Sequence, residues 1–155
     1  VKGDLHFEIF SKFMGGAVGR FLIRRFNFFV SSVMKKAMGD PAKLTIPVHQ
    51  HYFRALEKPE ERKGCWTFPK RIIESGDWLE TLWSRQDRIR EKPALICWGM
   101  KDIAFREKEL NRWTNLFPDA KAVRYADAGH FVQEEKGPEM CPLIDAFLKT
   151  CGIGS

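Results

Sequence analysis

At 155 residues the chain can hold one ordinary domain, or a small domain with part of another. Hydrophobic residues make up 44% and charged residues 30%, the composition of a soluble globular protein. The formal net charge is +6, yet there is no zinc spacing, no helix-turn-helix pattern and no RNP-like strand, so the excess reads as a solvated basic face rather than a nucleic-acid surface.

Four cysteines (Cys65, Cys97, Cys141 and Cys151) lie far apart and form no CxxC pair. With Cys97 inside an apolar run, they read as reduced thiols in a cytoplasmic protein, with no disulfide framework and no metal. No cofactor is expected either. Val1 to Phe10 carries charges and no apolar h-region, and no stretch reaches the length of a membrane span, so neither a leader nor a membrane partner is expected. A first residue of Val rather than Met reads as processing, truncation or a cloned fragment.

In chain order, residues 1 to about 90 read as one helical, aromatic region. Phe7, Phe10, Phe13 and Met14, then Phe21, Leu22, Phe26, Phe29, Val30, Val33 and Met34, recur at helical spacing. Gly15, Gly16 and Gly19 predict a break between two helices, and Gly39-Asp40-Pro41 predicts the end of the second. A short helix is expected over Val48 to Leu56, then a charged turn from Lys58 to Lys63. Trp66-Thr67-Phe68-Pro69 reads as an aromatic turn feeding a helix from Lys70 to about Ser75. Asp77 is placed to cap a further helix, Trp78 to Arg90.

The character changes at Lys92-Pro93. Ala94 to Trp98 is a continuous apolar run ended by Gly99, as expected of a strand buried on both faces of a parallel sheet. A helix over Glu107 to Phe117, a strand over Lys121 to Tyr125 and a helix over Gly137 to Leu148 follow. The last carries Met140, Leu143, Ile144, Phe147 and Leu148 as its apolar stripe. Strand, helix, strand, helix in residues 91–155 predicts an α/β fold with parallel strands. Two such strands do not make a stable sheet alone, so other strands are expected from a missing segment or a partner chain.

Each strand is followed by a loop at its carboxyl end, where open α/β sheets place their ligand sites. The first, Trp98 to Phe105, contains Asp102; the second, Asp127 to Glu135, contains His130. Adjacent parallel strands would bring the two to one rim, where a carboxylate can hold an imidazole by its Nδ1–H and leave the other nitrogen as a base.

The segments WGMKDIAF, FPDA and DAGHFVQEE are similar to the α/β-hydrolases, most closely to haloalkane dehalogenases and their epoxide-hydrolase-like relatives. The resemblance implies that residues 91–155 are the carboxy-terminal section of that fold, with Asp102 as triad acid and His130 as base. More weakly, residues 1–90 resemble the helical cap of that family, with GCWTFPKRI near its end. Trp66, Phe68 and Trp78 are then candidates to line a site for a small apolar substrate.

The nucleophile elbow is absent: the 155 residues hold no GxSxG and no Asp-Trp-Gly turn. Ser11 and Ser31-Ser32 lie in helical surroundings, and FMGGAVG does not match an oxyanion loop of the HGGG type. Two readings follow. The chain is the cap and acid–histidine section of a hydrolase acting on carbon–halogen, epoxide or ester bonds, completed by a missing amino-terminal half. Alternatively it is a non-catalytic truncated homologue that self-associates as a homo-oligomer or binds a partner.

Overall fold

The structure, a computed structural model, describes residues 4–152. They group into two compact units, one running to Lys35 and from Thr45 to Arg85, the other comprising Lys36–Leu44 and the chain from Gln86 onward.

The first unit is helical. α1 (Leu5–Gly15) starts at Asp4, whose carboxylate accepts the His6 N–H, and α2 (Ala17–Phe26) follows after one residue. The expected glycine break is there, and its reason is close packing. A Cβ on Gly19 would run into the main chain of Phe13 and Met14, so only glycine lets α2 turn back so tightly on α1. The second helix, expected to run to Met38, stops at Asn27. That residue takes a left-handed conformation, φ 49°, which asparagine tolerates, and its Nδ2 donates to the Leu56 carbonyl at 3.0 Å. A π-helical turn (Phe29–Val33) and the short α3 (Met34–Ala37) complete the stretch.

After a 3₁₀ turn at Pro41–Lys43 comes α4 (Ile46–Ala55), with Pro47 in its first turn, where the missing N–H costs nothing. α5 (Lys63–Glu74) corrects the sequence reading of Trp66–Pro69 as a turn: the helix runs through Pro69. Proline there removes one backbone hydrogen bond, and packing against α1 and α2 holds the helix regardless. α6 (Gly76–Trp83) ends before Arg85, so the expected Trp78–Arg90 helix is two pieces, the second being α7 (Asp87–Arg90). Asp77 lies inside the first turn of α6 rather than capping it.

Met14, Ile23, Val30 and Met34 form the buried core of this unit. Arg62 is 6% exposed beside them and donates to the carbonyls of Leu56, Arg24, Ile23 and Glu57. Its guanidinium thus satisfies the last carbonyls of α2 and those that follow α4, where the helix dipoles favour a cation.

The second unit holds β1 (Leu95–Gly99), α8 (Glu107–Leu116), β2 (Lys121–Tyr125) and α9 (Val132–Thr150). β1 and β2 pair in parallel, from Leu95 opposite Lys121 to Gly99 opposite Tyr125. Among the described residues this two-stranded sheet is the only one, and helices α8 and α9 both pack on β1. α9 begins five residues before its expected start and is kinked at Lys136, where φ is −130° and ψ 15°. Its apolar stripe is only partly covered: Leu143 and Phe147 are half-buried, whereas Ile144 and Leu148 are exposed. The buried core comprises Ala37, Met38, Leu110, Leu116, Tyr125 and Ala128.

Candidate active site

The carboxyl ends of β1 and β2 are joined by main-chain bonds beyond the strands. Met100 N–H donates to the Tyr125 carbonyl and Lys101 N–H to the Ala128 carbonyl, both at 2.9 Å. The two following loops therefore leave the sheet side by side. The sequence places glycines where they approach each other: a Cβ on Gly99 would overlap the Ala128 and Gly129 carbonyls, and one on Gly129 would overlap the main chain of Ala37 to Gly39.

Asp102 turns its loop back on itself. Its Oδ1 accepts the N–H groups of Ala104, at 2.7 Å, and Phe105, at 3.0 Å. His130 Nδ1 lies 3.0 Å from Oδ2 and 3.1 Å from Oδ1 of the same carboxylate. The Asp102 side chain is 9% exposed and that of His130 34%, so the acid is covered while the imidazole still reaches the surface. Burial alone would raise the Asp102 carboxyl. The hydrogen bond from His130 and the N–H groups of Phe105 and Ala104, together with the charge on the histidine, outweigh it and hold the group below the ordinary carboxylate range.

Two aromatic rings flank the imidazole. Phe105 stacks on the imidazole, with centroids 5.5 Å apart and planes at 28°, and Phe131 meets it edge-on at 5.4 Å. Trp98 Nε1–H donates to the Phe105 carbonyl at 3.1 Å and so ties that ring's backbone to β1. Behind His130, its own N–H donates to the Ala37 carbonyl at 2.8 Å, and Glu135 accepts the Gly129 N–H at 2.7 Å. Lys136 bridges Asp127, at 2.8 Å, and Glu139, at 3.1 Å. That ammonium holds the exposed Asp127 carboxyl below its ordinary value.

Asp102 and His130 are thus brought into hydrogen-bond contact. Trp66, Phe68 and Trp78 lie in the first unit, on α5 and α6. Phe68 and Trp78 are exposed, while Trp66 is half-buried under the guanidinium groups of Arg20 and Arg24, at 5.4 and 5.9 Å from its ring. Reasoning from sequence missed Phe105, Phe131 and Glu135, all three inside the quoted motif segments. Nothing in residue type or spacing distinguished them from helix or loop filler.

A cleft of about 530 Å³ opens at the opposite, amino ends of the strands, lined among others by Pro93, Ala94, Phe117, Lys121 and Phe147. Asp102 and His130 do not line it. Among the described residues no group of His, Cys, Asp and Glu side chains is arranged to hold a metal, and no helix is long and apolar enough to cross a membrane.

Two consecutive parallel strands are thus each followed by a loop that carries one member of a contacting Asp–His pair. The profile of the alpha/beta hydrolase fold matches residues 14–137, and the chain belongs to that family. It is haloalkane dehalogenase-like in sequence: 32% identical over 143 residues to haloalkane dehalogenase 2 of Mycobacterium tuberculosis, covering 90% of this chain and 49% of that protein. A cis-3-alkyl-4-alkyloxetan-2-one decarboxylase of Xanthomonas campestris is 28% identical over 139 residues, covering 85% of this chain and 45% of its own. The crystal structure of an ancestral haloalkane dehalogenase superposes with a TM-score of 0.76 at 22% identity, covering 92% of this chain and 51% of that one. The chain therefore spans about half the length of the curated relatives it matches.

Proposed function

We propose that the chain supplies the acid and the base of a haloalkane dehalogenase-type hydrolase. The contact that carries this reading is His130 Nδ1 on the Asp102 carboxylate at 3.0 Å, at the carboxyl rim of a parallel sheet. Asp102 fixes the tautomer in which Nδ1 carries the proton, leaving Nε2 free to accept one. A nucleophile outside these 155 residues would displace halide, or open an epoxide or ester, and become an ester itself. Water, giving its proton to His130 Nε2, would attack that ester carbonyl and regenerate the nucleophile. An alkyl ester formed from a haloalkane or epoxide would release an alcohol or diol, and an acyl ester, whose alcohol left in the first step, would release a carboxylic acid.

Residues 1–90 would serve as the cap, with Trp66, Phe68 and Trp78 as apolar lining for a small substrate. The relative named for an oxetan-2-one, a four-membered cyclic ester, adds that group to the candidate substrates. An aspartate nucleophile would fit the dehalogenase and a serine an esterase.

The test is turnover with the strand–nucleophile–helix segment restored, either in frame or as a second chain. His130→Ala should abolish steady-state product release; normal activity of that variant would rule the role out. A second reading is a non-catalytic homologue that self-associates, favoured by the stripe Leu5, Ile9 and Phe13 on α1, exposed at 70, 60 and 45%. Light scattering separates the two readings, since a stable monomer at micromolar concentration would count against self-association.

A further inference from the structure

Glu135 is 5% exposed, five residues beyond His130, and the chemistry proposed above does not use it. Its partners are three main-chain N–H groups. Oε2 accepts from Gly129 at 2.7 Å and from Gly39 at 3.2 Å, and Oε1 accepts from Asp40 at 2.7 Å. One carboxylate thereby ties the loop before the base to a segment about ninety residues earlier in the chain. Lys101 Nζ, donating to the Gly39 carbonyl at 3.3 Å, attaches the acid's loop to the same segment.

We propose that Glu135 is a positioning residue for His130, an assignment that rests on the reading of Asp102 and His130 as acid and base. The argument is one of remaining freedom. Gly129 N–H is held by Glu135, and the next N–H, that of His130, is held by the Ala37 carbonyl. Two consecutive amides anchored to the same segment fix where the His130 Cα sits. Only the two side-chain torsions remain, and the contact with Asp102 sets those. When the carboxylate loses any of its three donors, the tie between the Gly129 amide and the Gly39–Asp40 segment slackens and the Cα is free to shift. A displacement near 1 Å is enough to cost an acid–base pair much of its effect.

Gln is the informative replacement because it keeps the size. Its oxygen would face the two donors at Oε2, and its NH₂ would then oppose the Asp40 N–H, donor against donor. Leu116→Val, in the buried core of the same unit, serves as a destabilised control away from the rim.

The experiment uses the isotope-labelled 155-residue chain in solution NMR. In the parent, couplings across hydrogen bonds should link the Gly129 and Asp40 amide nitrogens to the Glu135 carboxyl carbon; their absence would overturn the proposal without any variant. In Glu135→Gln, exchange of the His130 Nδ1 proton with water should rise about tenfold, the fold-change expected for one lost hydrogen bond of ordinary strength. Leu116→Val should leave that exchange unchanged. Equal change in both variants, or none in Glu135→Gln, would reduce Glu135 to a structural role. If Glu135→Gln fails to fold, Glu135→Asp, which keeps the charge but loses reach, takes its place beside the parent couplings. Failure of the underlying reading looks different: the parent itself would then show no bonded Nδ1 proton on Asp102.

Discussion

Replacing Asp102 by Asn should invert the histidine rather than merely weaken its support. Oδ1 of Asp102 receives two main-chain N–H groups, from Ala104 and Phe105, whereas Oδ2 faces only His130 Nδ1. An asparagine amide must therefore turn its oxygen toward the backbone and its NH₂ toward the ring. Nδ1 would then become an acceptor, the proton would move to Nε2, and the nitrogen that should receive a proton from water would already hold one. Three charge-assisted bonds become neutral or change direction, at about 1 kcal/mol each at most, so the folded state should lose about 2 kcal/mol. For a chain of this size that is a fall in melting temperature of roughly 4–8 °C. The rate should suffer far more, on the order of 10⁴ by comparison with the same change in Ser-His-Asp triads. Nitrogen-15 shifts of the imidazole report the tautomer directly, and turnover with the nucleophile segment restored reports the rate. An Asp102→Asn variant that keeps its proton on Nδ1, or turns over within threefold of the parent, would refute this account of the pair.

Arg62→Met should cost the first unit about 2–4 kcal/mol, because the carbonyls of Leu56, Arg24 and Ile23 lose a charged donor within a buried site; denaturant melts check it, and Arg62→Lys should recover only part. Gly129→Ala should destabilise by about 2–4 kcal/mol or displace the His130 loop, since the added Cβ meets the Ala37 carbonyl and the Gly39 nitrogen; thermal melts and the His130 signals would show it. The pH dependence follows from the lowered Asp102 carboxyl. A folded-state value below the unfolded one stabilises fully above the unfolded value and loses that stabilisation as pH falls through the folded one. The stability gap between parent and Asp102→Asn should therefore hold from pH 7 to 5 and close below about pH 4. A gap that widens on acidification would contradict the shift.

Much of the second unit was legible because its signals are local. An apolar run closed by glycine gave β1 to within one residue, Lys121–Tyr125 is β2 as expected, and the two loops follow from strand order. The first unit was read less well where one residue outweighed a pattern. Apolar spacing runs on through Asn27, but its left-handed backbone and its bond to Leu56 end the helix. Pro69 suggested a turn, but contacts of α5 with α1 and α2 keep the segment helical. Tertiary bonds of that kind leave no trace in periodicity. The same holds at the site: Asp102 and His130 stand out by type and position, whereas Glu135 acquires its meaning only once Gly39 and Asp40 fold against it.

That distinction bears on what this chain can do unaided. Among the described residues, the groups that hold the Asp102–His130 contact include the β1 and β2 ends, the Ala104 and Phe105 amides, the Ala37 carbonyl and the Glu135 carboxylate, all of the second unit. The proposed turnover asks for more than this contact. An imidazole held ready to take a proton accelerates hydrolysis only where an ester is presented to it, and the donors that stabilise the developing oxyanion contribute a large share of the rate. The Asp102–His130 contact lies within one small unit, whereas in the proposed hydrolysis the covalent step and oxyanion stabilisation would depend on residues that a nucleophile-bearing segment would bring.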